Sequence, residues 1–408
     1  MANLSEASRA PGYYIRQKIK RNKAAVFGLF FIALSVLVSL LGYLIMPDQT
    51  PDANDGAVQI QKLPPGSTVT FLKIRKNRAI EQKNIFQKAY FGQEEEYMIV
   101  PILDYVIEDL FVRVRVFGKQ NYYKDYEILN AVRAKNGTPV IVEDDENGNT
   151  KLTYENINNE KVQISRNELI AEFEDNNIES RTYLLGADKM GRDMLSRLLF
   201  GTRISLSIGF IAVLISMLLG MSLGSFAGFF GGKIDMIILW FMSVIWSIPG
   251  IILVIAISMA LQSRGVWVAF IAVGLTMWVE VARVMRGQVM SIKEKLFVEA
   301  ARAFGIKNFR IMFVHILPNI AGPLIVVASA NFAAAILLEA GLSFLGLGVQ
   351  PPTPSWGVMI YEGFQSIGTK NSLHLILFPG LAICILVLSF NLLGNGLRDA
   401  YDPKTLLE

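Results

Sequence analysis

Ala24 to Met46 carries no charged residue, and runs of the same kind recur at Ile204 to Gly232 and at Met236 to Ser263. Crossing hydrocarbon as a helix takes about 20 mainly apolar residues, so each run is long enough to span a bilayer. Three more candidates follow. Gly265 to about Arg286 carries Glu280 and Arg283 only near its end, Asn319 to Leu338 stops at Glu339, and Ser372 to Leu397 stops at Arg398. Six spans put both chain termini on one side. Pro249-Gly250 interrupts the third run, where a proline removes a backbone donor and can kink the helix.

Between the first and second runs the pattern changes abruptly, with Glu94-Glu95-Glu96 and Glu143-Asp144-Asp145-Glu146 replacing apolar stretches. Phe111-Val112-Arg113-Val114-Arg115-Val116-Phe117 alternates at period two, which places its valines on one face of a strand. Pro139 to Val142 and Lys151 to Tyr154 flank an acidic turn containing Asn147-Gly148, a hairpin signal because both residues tolerate positive φ. The segment from 47 to 185 therefore reads as a β-rich domain outside the membrane.

Composition agrees: 52% hydrophobic residues and a mean hydropathy of +0.40 are too apolar for an ordinary soluble domain. The formal net charge of +4 matters through its distribution. Arg16, Lys18, Lys20, Arg21 and Lys23 precede the first run, and Arg286, Lys293, Lys295, Arg302, Lys307 and Arg310 follow the fourth. By the positive-inside rule both segments are cytoplasmic, and Lys233 agrees. Residues 47–203 and 341–371 then lie outside. The first run is too long for a secretory signal, and no small-residue cleavage site follows before Pro47, so it reads as an uncleaved span.

Cys384 is the only cysteine, which excludes an intramolecular disulfide and a cysteine metal cluster. His315 and His374, the only histidines, fall on opposite sides of the predicted bilayer. The stretch from Gly228 to Ile234 has Ala227 where a phosphate loop begins with glycine, and Ile234 where it needs Ser or Thr. No catalytic residue and no metal ligand is assigned, and nothing points to nucleic acid. If ATP drives transport, another chain hydrolyses it.

Ala212, Ser216, Gly220, Gly224 and Gly228 form a stripe of small residues that lets another helix approach closely, inside this subunit or from a neighbour. Glu280 and Arg283, three apart, are expected to pair along one helical face. Glu339, ending the fifth span, either reaches water or is buried for function. A secondary transporter needs ion-coupling carboxylates or histidines at span centres, where this reading finds none. A membrane-anchored receptor with an external ligand-binding domain leaves the six spans unexplained.

Glu299-Ala300-Ala301-Arg302-Ala303-Phe304-Gly305, closed by His315-Ile316-Leu317-Pro318-Asn319, resembles the loop by which ABC-importer permeases grip their ATPases. Gln350 to Gly357, preceded by Leu338 to Gly348, resembles the dipeptide/oligopeptide (and nickel) branch of that family. Leu185 to Asp193 is similar to the family's Gly-Thr-Asp-x-x-Gly-Arg-Asp segment, with Ala187 replacing the threonine. The resemblance covers span one and nearly everything from Leu185 to Asp399, but not the insert between about Asp48 and Arg181.

It implies an all-α polytopic membrane protein of the type I ABC importer permease fold, with about six transmembrane helices and a β-rich extracytoplasmic insert between helices 1 and 2. The expected parts are a cytoplasmic segment 1–23, helix 24–46, insert 47–185, permease core 186–397 with coupling loop 286–318, and cytoplasmic tail 398–408. The implied place is the bacterial cytoplasmic (inner) membrane. The implied partners are a homologous second permease, two cytoplasmic ATPases and an extracytoplasmic solute-binding protein, with ATP and Mg on those partners and no cofactor on this chain. Glu299, Ala300, Ala301, Arg302, Gly305, His315, Pro318 and Asn319 would form the ATPase-coupling loop. A helix there opens near Phe297 and ends at Gly305 in a left-handed cap. An interfacial helix on lipid would need more apolar area than Ala300, Ala301 and Ala303 offer. Ser216, Gly220, Gly224 and Gly228 would pack helices, and Asp188, Gly191, Arg192, Asp193 and Glu339 would shape the outer mouth as interfacial charges or touch substrate. The cargo implied is a di- or oligopeptide, or else nickel or a nickel chelate.

Overall fold

The computed structural model describes residues 11–401 except 120, 145–149 and 264. Its first helices are α1 (Pro11–Arg21) and α2 (Lys23–Leu41), and then come β1 (Ser67–Arg75), α3 (Ile85–Phe91), β2 (Tyr97–Glu108), β3 (Phe111–Val116), β4 (Tyr123–Glu127) and α4 (Ile128–Val132). The next elements are β5 (Ile141–Asp144), β6 (Thr150–Glu155), β7 (Lys161–Ser165), α5 (Arg166–Asn176) and β8 (Ile178–Tyr183). Helices complete the chain: α6 (Met194–Phe230), α7 (Gly232–Trp246), α8 (Gly250–Ala260), α9 (Val266–Ile292), α10 (Leu296–Ala303), α11 (Asn308–Arg310), α12 (Leu317–Phe344), α13 (Trp356–Phe364) and α14 (His374–Tyr401). Two compact units result, one of Met1–Leu40, Gly201–Tyr361 and Pro379–Glu408, the other of Leu41–Phe200 with Glu362–Phe378.

Five helices in the described residues are long and apolar enough to cross a membrane: Lys23–Ile45, Met194–Phe230, Val266–Ile292, Asn308–Phe344 and His374–Tyr401. The pair α7 and α8, bent by 93°, makes six when counted as one span. The single run expected from Met236 to Ser263 is thus broken, because Pro249 sits in the N-cap of α8 with no N–H to carry a helix through.

Two other ends move. The fourth span, α9, continues to Ile292, so Glu280 stands near its middle and not near its end. Arg286 does not stop it because its Nε and Nη2 donate to Asp235 of α7 at 2.5 and 2.7 Å, and Lys293 Nζ donates to the Gly228 carbonyl at 2.9 Å. In α12, Pro318 comes just after the π-helical turn Ile311–Ile316 within one continuous helix Asn308–Phe344, which runs past Glu339.

The small-residue stripe of α6 faces α9. Ala212 and Ser216 are fully buried, and a Cβ on Gly220 would lie 2.5 Å from Val281 Cβ and 2.7 Å from the Trp278 carbonyl oxygen. On Gly224 it would lie 2.5 Å from the Ala282 oxygen, and on Gly228 2.7 Å from the Arg286 oxygen. The close approach is therefore made within this chain.

In the other unit, antiparallel strands form a five-stranded sheet in the order β4-β3-β2-β1-β8, beside a three-stranded sheet β5-β6-β7. Val112, Val114 and Val116 are buried on one face of β3, while Arg113 pairs with Asp125 and Glu108 on the other. Leu152 and Ile164 of the smaller sheet join Leu72, Leu129, Leu169 and Phe173 in one apolar core. The expected hairpin pairs Ile141 with Thr153 and Asp144 with Thr150; its Asn147-Gly148 turn lies outside the described residues.

Candidate functional site

Residues 296–319 contain a short amphipathic helix, α10, pinned to longer ones. Val298 and Ala301 of α10 are buried against Ile311, Met312 and Ile316, so the helix is fixed on one side. It ends in a Schellman cap: Ile306 N–H donates to Ala301 O at 3.1 Å, Gly305 N–H donates to Arg302 O at 2.9 Å, and Gly305 takes φ +73°. Glu299, Ala300 and Arg302 remain exposed, the Arg302 guanidinium lying 5.2 Å from the Phe229 ring centre. His315 closes a π-helical turn, Ile311–Ile316, and its carbonyl accepts from Asn319 Nδ2 at 2.7 Å beside an exposed Pro318.

The exposed surface is more apolar than the alanines suggest, since Leu296 is 82% and Phe304 86% exposed. That corrects the argument from Ala300, Ala301 and Ala303: large side chains at both ends of α10 supply the area, and a window confined to the helix centre misses them.

A second cluster gathers at the start of α6. Asp188 Oδ1 accepts from the N–H groups of Met190 and Arg192 at 2.8 and 3.0 Å, closing a turn in which Gly191 takes φ +79°. Arg192 Nε donates to Asp188 Oδ2 at 2.6 Å, and its Nη2 reaches Glu362 at 3.1 Å. Arg197, fully buried, lies 3.3 Å from Asp188 and 3.6 Å from Glu362. Asp188 and Arg192 are thus buried members of a charge network and not ordinary interfacial charges. Arg197 and Glu362 escaped the sequence reading; an arginine one turn into an apolar helix was the available signal, and nothing flags Glu362.

Asp193 is the N-cap of α6, its Oδ2 accepting from Ser196 N–H at 2.7 Å and from the Ser196 hydroxyl. Ala187, in the place of the family's threonine, is fully buried, and its carbonyl lies 3.2 Å from His374 Nε2. Burial raises the carboxyls of Asp55 and Asp193, and pushes Asp48 to about 6 despite hydrogen bonds from Thr50. A carboxyl raised above its unfolded value favours the fold where it is protonated, so the contribution of Asp48 falls as pH climbs from about 4 to 6. For Asp48 the loss is about 3 kcal/mol. Asp48→Asn should remove that slope, seen as unfolding midpoints at pH 4.5 and 7 that lie closer together than in the unmodified chain. An unaltered difference would show that Asp48 does not titrate in the fold.

Glu339 has other partners. It is fully buried within α12, and its Oε1 accepts from Ser343 Oγ at 2.7 Å and Ser355 Oγ at 2.8 Å. Ser355 belongs to the Gln350 to Gly357 segment, whose Gly357 packs on Ala340, so that motif is docked on α12 through Glu339. Glu280 and Arg283 do not pair. Arg283 instead stacks 3.3 Å from the Trp246 ring centre, and Glu280 lines a cavity of about 250 Å³.

The family described as binding-protein-dependent transport system inner membrane component matches residues 220–407, and the N-terminal transmembrane domain of oligopeptide transport permease C matches 11–65. Neither covers 66–219. The glutathione transport system permease protein GsiD of Pectobacterium atrosepticum is 42% identical over 225 residues, 55% of this chain and 74% of that protein. The dipeptide transport system permease protein DppC of Alkalihalophilus pseudofirmus is 43% identical over 225 residues, 55% and 73% of the two chains. The oligopeptide transport system permease protein OppC of Haemophilus influenzae is 40% identical over 222 residues, 54% and 70%. Among solved structures, the inward-facing MetNI methionine ABC transporter aligns with a TM-score of 0.44 at 18% identity, covering 51% of this chain and 98% of that one. On its apolar spans, the two family matches and these sequence relatives, the chain belongs to the binding-protein-dependent ABC importer permeases, as a multi-pass subunit of a bacterial complex whose separate ATPase subunits bind the ATP.

Proposed function

We propose that this permease carries peptide-like cargo inward, with a homologous second permease, two cytoplasmic ATPases and an extracytoplasmic solute-binding protein. The relatives are named for glutathione, dipeptides and oligopeptides, molecules that share amide links, a free α-ammonium group and a carboxylate. The distribution of Lys and Arg supports cytoplasmic termini and an external insert. The observation that carries the coupling role is α10: a capped helix, fixed on one side by Val298 and Ala301, that presents Glu299, Arg302 and exposed apolar groups on the other. Such a rigid knob transmits motion of a docked ATPase to α9 and α12. The helices then alternate access to a central path.

The test is ATP hydrolysis by the reconstituted complex, stimulated by a loaded binding protein, alongside the amount of ATPase retained on purification. Glu299→Lys reverses a charge in the proposed contact and should lower both by about tenfold or more. Gly305→Val should act by a separate route, because a β-branched residue resists φ +73° and would misplace the chain toward His315. Both variants should still insert, since no apolar span changes. Retention of ATPase and of stimulated hydrolysis at the unmodified level by Glu299→Lys would remove the coupling role from this helix.

A further inference from the structure

Glu280 stands near the middle of α9, an otherwise apolar span at that depth, and its side chain is exposed into the cavity formed with α7, α8 and α12. Trp246, Gly250, Thr276 and Leu338 line the same space, which opens at the 93° break between α7 and α8. Among the described residues no cation pairs with Glu280. Arg283, the nearest basic residue along the helix, lies against the face of Trp246. Thr276 does not compete as a donor, because its hydroxyl is turned back to the Ala272 carbonyl at 2.7 Å. A carboxylate at this depth is costly unless it meets water or a cation, and one retained there marks a path or a ligand. The cavity admits water, and a cation that met this carboxylate would be one brought from outside the described residues. The remaining wall is apolar, which tolerates varied side chains while one charged group fixes orientation.

We infer that Glu280 binds the α-ammonium group of cargo in transit, making this cavity a permease subsite for primary ammonium ends. The inference rests on the peptide reading above. It adds that reading's one charge-specific contact in this chain, a charge-assisted hydrogen bond from cargo N–H to the Glu280 carboxylate.

The complete importer in proteoliposomes tests it, with trialanine and N-acetyl-trialanine as cargoes, each loaded to saturation on the binding protein. Whatever the binding protein prefers is common to both permeases and cancels when Glu280→Gln is divided by the unmodified protein for each cargo. Losing one charge-assisted contact should lower trialanine uptake by about tenfold and leave the acetylated peptide's ratio near one. A second readout holds even where the acetylated peptide is carried slowly. Carbodiimide treatment of the loaded complex should join the trialanine amine to Glu280 as an amide found by peptide mass mapping, and should give no such adduct with the acetylated peptide. Equal loss for both cargoes, no loss for either, or absence of the adduct while surface carboxylates react would overturn the assignment. So would reduced recovery of the second permease with Glu280→Gln, which would mean that the carboxylate pairs between subunits. Failure of the unmodified importer to take up trialanine overturns the peptide reading itself, and this subsite with it.

Discussion

Gly224→Leu should abolish recovery of an intact permease and reduce uptake to background. A Cβ at that position would meet the Ala282 oxygen at 2.5 Å, Met285 Cβ at 2.8 Å and the Ala282 Cα at 3.0 Å. Two of these three are backbone atoms of α9, which no rotamer change removes. Overpacking a well-filled interior typically costs 1–3 kcal/mol when side chains can shift, and roughly more when two main chains must separate. Separation at Gly224 also lifts Gly220 and Gly228 from the same helix, so the whole seam is lost. Gly224→Ala should show a smaller loss in the same direction. Gly287→Leu is the control, because a Cβ there meets nothing within 4 Å in this chain. The measurement is the monodisperse fraction after detergent extraction together with peptide uptake. Unmodified values for Gly224→Leu would show that α6 and α9 are not in contact as described.

That stripe shows how far the sequence alone reaches. Its period of four is legible in one dimension, but its partner is fixed only when α9 folds beside α6. The alternation of Val112, Val114 and Val116 likewise identifies a buried strand face, while the neighbour β8 of β1 arrives more than 100 residues later and leaves no local trace. Pro249 announces the break; the 93° angle depends on packing. The end of the fourth span is hidden from the sequence for a specific reason. Arg286 reads as a stop, yet Asp235 neutralises it from another helix, and the error carried Glu280 from the middle of the span to its end. Spacing alone pairs Arg283 with Glu280, whereas Trp246 offers an aromatic face that no one-dimensional rule anticipates. Gly305 was legible because its left-handed conformation is a requirement of the chain itself.

Arg197→Met should destabilise its unit by about 3–5 kcal/mol, the range for removing one partner from a buried ion pair. In the unmodified chain Arg192 and Arg197 stand against Asp188 and Glu362 in a place closed to water, with the partly exposed Lys189 at its rim 3.9 Å from Glu362. Methionine fills much of the volume, so the effect isolates the uncompensated carboxylate and not a void. Glu362→Gln should be destabilising for the mirrored reason, leaving an excess guanidinium. The double variant should lose less than the sum of the two, because its remaining pair, Arg192 with Asp188, is again balanced and keeps its 2.6 Å hydrogen bond. Arg197→Lys should not rescue fully, since a single ammonium lacks the fork with which a guanidinium faces two carboxylates at once. Thermal or denaturant unfolding of the purified permease, followed by a probe attached near the β1–β8 sheet, reads these differences directly. Additive losses in the double variant would mean that the four groups do not act as one network, and unchanged midpoints in both single variants would mean that water reaches them and screens their charges.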